Sequence, residues 1–167
     1  MIKAPRRVFK GLAGPVLLAI RAGWALFAAV AAEAGCWVSS PGVAFGEYDV
    51  IYLQPRDSAS VIQIGCLWGE QEPQDLRVAL GPSSGSGAIY RRRLERLGGG
   101  GGLEYNLFLD PARSLVWGDD SSGGSALRVP GMAATTPLQL MVYGRIFGSQ
   151  DVMPGYYTDS VPIYVLP

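Results

Sequence analysis

The chain has 167 residues, with 14 Lys and Arg against 14 Asp and Glu, no His, two Cys, 23 Gly and 12 Pro. Without His there is no Ser–His–Asp or Cys–His nucleophile pair and no imidazole base or metal ligand. Two cysteines cannot complete a zinc site of four cysteines, or one of two cysteines and two histidines.

The zero net charge hides an uneven distribution. Lys3, Arg6, Arg7, Lys10 and Arg21 all precede the first acid, Glu33. Residues 1–34 read as a secretory signal peptide that is cleaved: a charged start, apolar runs over 11–20 and 22–32, and small residues Ala32 and Ala34 at the −3 and −1 positions of a cut after Ala34. A membrane anchor over 11–32 would be long enough to span, but it would put Arg21 near the bilayer centre at about 2.5–3.5 kcal/mol. Ala34-Gly35-Cys36 resembles the end of a lipobox, yet Glu33 stands where an aliphatic residue is wanted. Residues 35–167 then form one domain, with no stable membrane span. The basic residues fall to nine there, all Arg, against thirteen acids, a net charge of −4. That argues against a nucleic-acid-binding face, and the Arg91-Arg92-Arg93 run reads as a solvated hairpin face.

The domain shows short apolar and β-branched runs separated by Gly, Pro, Ser and Asp, the pattern of an all-β sandwich. The runs span 43–53, 59–68, 76–80, 88–97, 103–109, 114–117, 138–147 and 156–166, and 88–97 could equally be a short helical turn. Residues 82–87 form a Gly/Ser turn. The five glycines at 98–102 could cradle a phosphate only before a helix N-terminus, usually with a Lys. A strand follows and the domain has no Lys, so they read as a hairpin connection. Residues 119–125 are acidic and Gly-rich but lack an EF-hand register, so a solvated turn is expected. In an oxidising compartment Cys36 and Cys66 would pair, closing a loop worth about 3.5 kcal/mol. Two buried free thiols are the other reading.

Seven motifs follow in order: Phe45-Gly46-Glu47-Tyr48, Ile62-Gln63-Ile64-Gly65-Cys66, Arg92-Arg93-Leu94, Leu103 through Asp110 (with Tyr105 and Asn106), Val116-Trp117-Gly118-Asp119, Tyr143-Gly144-Arg145-Ile146, and Gly155 through Val161. In this order the chain resembles the spore coat protein U domain family, the pilin-like subunits of archaic chaperone–usher systems.

The resemblance implies a secreted, non-enzymatic structural subunit of a surface fibre (pilus) or spore-coat-like assembly, without catalytic residues, metal or cofactor. Its fold would be an immunoglobulin-like sandwich missing its last strand. A periplasmic pilus chaperone would lend that strand, and an outer-membrane usher would exchange it for the N-terminal extension of a neighbouring pilin-like subunit. Cys36 and Cys66 match the family's disulfide. Tyr157, Val161, Ile163 and Val165 match the strand bordering the acceptor groove, although ordinary core packing predicts the same alternation. Trp117, Tyr105 and Tyr143 read as core aromatics.

Two features depart from the family pattern. A cut after Ala34 leaves one residue before Cys36, so the subunit would accept a strand and have none to donate, as at a fibre tip. Pro162 also interrupts the last run, where it removes a ladder N–H. A secreted binding module that contacts a surface through its loop tips is the second reading. Acid–base work by Asp110, Asp119 and Asp159 is conceivable, but each is explained as a turn residue.

Overall fold

The structure is a computed structural model that describes residues 35–67, 74–132 and 136–166. The expected signal peptide lies outside these residues. Among them are nine β-strands: β1 (Gly35–Ser39), β2 (Arg56–Leu67), β3 (Gln74–Leu80), β4 (Arg92–Arg96), β5 (Gly102–Phe108), β6 (Leu127–Met132), β7 (Leu138–Ile146), β8 (Tyr157–Thr158) and β9 (Ile163–Leu166). They form two antiparallel sheets, six-stranded in the order β1-β2-β7-β5-β4-β8 and three-stranded in the order β6-β3-β9.

Alternation along the strands builds the layer between the sheets. Ile62, Ile64 and Cys66 of β2, Leu76, Val78 and Leu80 of β3, and Leu103, Tyr105 and Leu107 of β5 are buried together. Each large aliphatic side chain so buried contributes about 1.5–3 kcal/mol. Trp117 is wholly buried among them and donates its indole N–H to the Val78 carbonyl at 3.0 Å. On β7 Val142, Gly144 and Ile146 are buried while Gln139 and Met141 are exposed. The Cys36–Cys66 disulfide joins facing residues of β1 and β2. The glycine run connects β4 to β5, with Glu95 opposite Gly102 and positive φ from Gly98 to Gly101.

Several expected runs differ in extent. Residues 43–53 form no strand. Gly42 and Gly46 turn the chain at positive φ, and Val43 and Phe45 pack over Gly144, where an added Cβ would lie 2.7 Å from the Phe45 ring. Residues 114–117 form only isolated bridges, Phe108 to Val116 and Trp117 to Ser125. The 156–166 run is two strands on different sheets, because 159–162 carries the chain across the sandwich. Strands β1 and β6 lie outside the expected runs. Pro130 in β6 is accommodated by a register shift between Gln74 and Leu76 of its partner.

Candidate functional site: the crossing segment and an unpaired edge

The sheets are tied together by a buried cation. Arg92 of β4 is wholly inaccessible, which corrects the reading of 91–93 as a uniformly solvated run. Only its neighbours Arg91 and Arg93 are exposed. Arg92 Nη1 donates to Asn106 Oδ1 at 2.7 Å, and Nη2 donates to the carbonyls of Leu80, Gly81 and Trp117 at 3.3, 2.8 and 3.0 Å. Among the described residues Nε has no hydrogen-bond partner. Burial lowers the guanidinium pKa to about 10, partly opposed by the charges of Tyr105, Asp159 and Asp119. Two strands and the Trp117 loop therefore meet on one side chain.

The crossing between β8 and β9 has a buried anchor of the opposite sign. Asp159 Oδ1 accepts from Ser84 Oγ, Gly85 N and Ser160 N at 2.7, 3.2 and 2.7 Å, and Oδ2 accepts from the Tyr105 hydroxyl at 2.7 Å. Asp159 is thus a buried acceptor rather than a surface turn residue.

Beyond the crossing, Val161 is buried, Ile163 and Val165 are half-buried, and Tyr164 and Leu166 are exposed. Among the described residues, strand β9 pairs only with β3, placing Ile163 opposite Leu80 and Val165 opposite Val78. The Gly81 N–H donates to the Pro162 carbonyl at 2.9 Å. In an antiparallel ladder one residue's N–H and C=O point to the same side. The donor that Pro162 lacks is therefore on the β3 side. Counting from Pro162, the backbone groups of Tyr164 and Leu166 also face β3, whereas those of Ile163 and Val165 face the unpaired edge. Proline leaves that edge intact.

Residues 151–157, which lead into β8, form with Asp159 one wall of a cleft of about 930 Å³. Residues 43–50 form the facing wall, and Leu94, Leu103, Tyr105 and Ile146 of the six-stranded sheet form the floor. Tyr157 lines this cleft, whereas Val161, Ile163 and Val165 do not. Tyr157 belongs to β8 of the larger sheet, Ile163 and Val165 belong to β9 of the smaller one, and Val161 is in the crossing between them.

The remaining motif residues hold the surrounding loops. Phe45 meets Tyr105 edge-on at 5.7 Å between ring centroids, and Gly46 turns the chain beside Arg56. The Tyr48 hydroxyl accepts from Gln150 N at 2.9 Å. Asn106 donates to the Tyr90 carbonyl while accepting from Arg92. Asp110 closes its turn by accepting from the N–H groups of Ser114 and Leu115, and Asp119 does the same with Ser121. Buried Gly118 passes so close to Gly124 that a Cβ would lie 2.7 Å from its Cα. Tyr143 packs against a separate small cluster of Ile89, Phe108 and Val116. Arg145 forms a two-pronged pair with Asp57, at 2.7 and 2.8 Å.

Two antiparallel sheets packed face to face, joined by a long crossing and stapled near one edge by a disulfide, define an immunoglobulin-like β-sandwich domain. The particular kind is shown by comparison. The Spore Coat Protein U domain matches residues 24–164, and the chain belongs to that family. Protein U of Myxococcus xanthus is 28% identical over 123 residues, which is 70% of this chain and 66% of that relative. Among solved structures, the chain is similar to one from a chaperone–tip adhesin complex of CFA/I fimbriae biogenesis. That likeness has 14% identity and a TM-score of 0.47, and covers 79% of this chain and 41% of the other. The match thus spans about two thirds of the curated relative's length and less than half of the structural neighbour's.

Proposed function

We propose that this protein is a secreted structural subunit of a surface fibre or coat whose sandwich is one strand short, and that a strand from another chain completes it beside β9. The observation that carries this reading is the outer edge of β9, unpaired among the described residues. An exposed edge is an aggregation hazard that proteins normally blunt. Of the other outer strands, β8 is two residues long, β6 carries Arg128, Pro130 and a register shift, and β1, which also lacks charge and proline, is fastened to β2 by the Cys36–Cys66 disulfide. Strand β9 reads Ile163-Tyr164-Val165-Leu166, with no charge and no proline. Its half-buried Ile163 and Val165 leave apolar surface for a partner's side chains to cover, the arrangement that strand addition uses.

In this reading a periplasmic pilus chaperone covers the edge in transit, an outer-membrane usher presents the subunit, and a neighbouring pilin-like subunit supplies the final strand. Residues 1–34 direct export and are removed. Cleavage after Ala34 would make the subunit a strand acceptor without a strand to donate, suited to a fibre end. The role requires no catalysis. Among the described residues no helix is long and apolar enough to cross a membrane, and the Cys36–Cys66 bond fits an oxidising destination.

The test is expression of the mature chain alone and together with a periplasmic pilus chaperone. The expected result is a chain that aggregates with rising concentration when alone and forms a soluble one-to-one complex with the chaperone. A chain that stays monomeric at high concentration and forms no complex with the chaperone would overturn the reading. N-terminal sequencing of the exported protein tests the terminal position: a start at Gly35 supports it, and a start a dozen residues earlier contradicts it.

A second reading, a tip adhesin, has an observation of its own. Val50, Ile51, Tyr52 and Leu53 are four consecutive large apolar residues, 41%, 80%, 70% and 72% exposed. A loop tip of that kind suits contact with another surface.

A further inference from the structure

The outward face of the six-stranded sheet carries a second concavity, of about 530 Å³. Glu104 of β5 and Arg145 of β7 contribute to its floor, and Tyr90, Arg91, Arg113 and Phe147 border it. Glu104 and Arg145 alternate with the buried residues of their strands, so the concavity opens away from the three-stranded sheet. Its volume is within the range of small-molecule sites.

Three guanidiniums meet at this one space. Arg145 is oriented by Asp57, which engages its Nε and Nη2, so Nη1 takes no part in that pair. Arg113 meets the same carboxylate at 3.2 Å, donates to the carbonyls of Ser58, Pro111 and Gly144, and lies 5.9 Å over the Tyr143 ring. Arg91 approaches Glu104 at 3.4 Å, with its side chain 73% exposed. Asp57 and Glu104 offset two of the three positive charges, leaving a local excess of one on a domain that is acidic beyond residue 34. Tyr90 and Phe147 add partly exposed aromatic surface at the rim.

We propose that this concavity binds an acidic saccharide unit, such as a uronate residue of a polysaccharide. A guanidinium fork matches a carboxylate, the C–H face of a sugar ring is apolar enough to lie on Tyr90 or Phe147, and Glu104 accepts from ring hydroxyls. The site is on the outward face of the larger sheet and β9 is in the smaller one. Occupation therefore does not compete with strand addition, and the proposal stands apart from the subunit reading above.

The test is calorimetric titration of the purified chain, together with any strand-supplying partner it retains, with tetragalacturonate, maltotetraose and tripolyphosphate. Tetragalacturonate is expected to bind at least tenfold more tightly than either of the others. Arg91→Ala and Tyr90→Ala, both at exposed positions, should each weaken it by about tenfold. Arg128→Ala, on the other sheet, should leave it unchanged. No binding of tetragalacturonate, equal binding of tripolyphosphate, or full affinity in Arg91→Ala would each overturn the proposal.

Discussion

Tyr105 of β5 donates its hydroxyl hydrogen to Asp159 Oδ2 at 2.7 Å across 54 residues of sequence. It thereby ties the middle of the larger sheet to the point where the chain leaves that sheet for the smaller one. The direction in which β9 sets out depends on this bond and on the three donors to the other carboxylate oxygen. Ser84, Gly85 and Ser160 supply those donors from the two segments that meet at the crossing.

Tyr105→Phe removes one donor from a buried carboxylate that keeps its others. A hydrogen bond to a charged group contributes about 1.5–3 kcal/mol net, and a loss of that size is expected in urea denaturation. Burial, followed by the charge and hydrogen bond of Asp159, raises the Tyr105 pKa above the ordinary value. The folded state therefore resists its ionisation, so the stability this group contributes is complete below the unfolded value of about 10 and is lost as pH rises beyond it. Phenolate absorbance should show Tyr105 silent until alkaline unfolding, as a step of one tyrosine that Tyr105→Phe removes. All eight tyrosines titrating near pH 10 in the folded protein would contradict this.

The Cys36–Cys66 bond joins residues 30 apart and fastens β1 to β2. Chain entropy assigns such a closure about 3.5 kcal/mol, a large part of the roughly 5–15 kcal/mol that native domains hold. Cys36→Ser and Cys66→Ser should each lower the melting temperature markedly and reduce the soluble yield. A melting temperature that is the same with and without reductant would count against this role.

Acid should weaken the outward face of the larger sheet. The hydrogen bond and charge of Arg145, joined by the charge of Arg113, hold the Asp57 pKa below the ordinary carboxylate value despite a desolvation effect in the other direction. A lowered folded pKa contributes stability that is present above the unfolded value of about 3.9 and lost as pH falls through the folded one. Asp110, Asp119 and Asp120 are lowered too, mainly by hydrogen bonds within their loops. The melting temperature should hold near pH 5 and drop below about pH 4, and Asp57→Asn should make that drop shallower. An identical acid profile in Asp57→Asn would remove the pair from the account.

The fold class was legible because period-2 burial is written into β2, β5 and β7, where Ile62 and Ile64, Leu103 and Leu107, and Val142 and Ile146 mark the inner face. The family was legible from motif order. Arg92 was not, because three consecutive arginines carry no mark of which one faces inward. Its burial depends on carbonyls from Leu80, Gly81 and Trp117 that only the folded chain brings together. Asp159 was hidden for the same reason, since its partner Tyr105 is remote in sequence. The segment at 43–53 has the apolar content of a strand, but Gly42 and Gly46 turn it and Val43 and Phe45 pack over Gly144 instead. Pro162 looked like an obstacle to pairing until the register fixed which side its missing donor faces.

That register also supplies the most direct test of an open edge. Amide hydrogen exchange should be followed residue by residue along β9, in the isolated chain at low concentration and in the assembled or chaperone-bound form. In the isolated chain the Tyr164 and Leu166 amides, which face β3, should be protected, while those of Ile163 and Val165 exchange rapidly. In the bound form all four should be protected. Protection of Ile163 and Val165 in the isolated chain, or their continued rapid exchange after assembly, would contradict the claim that another chain's strand pairs there.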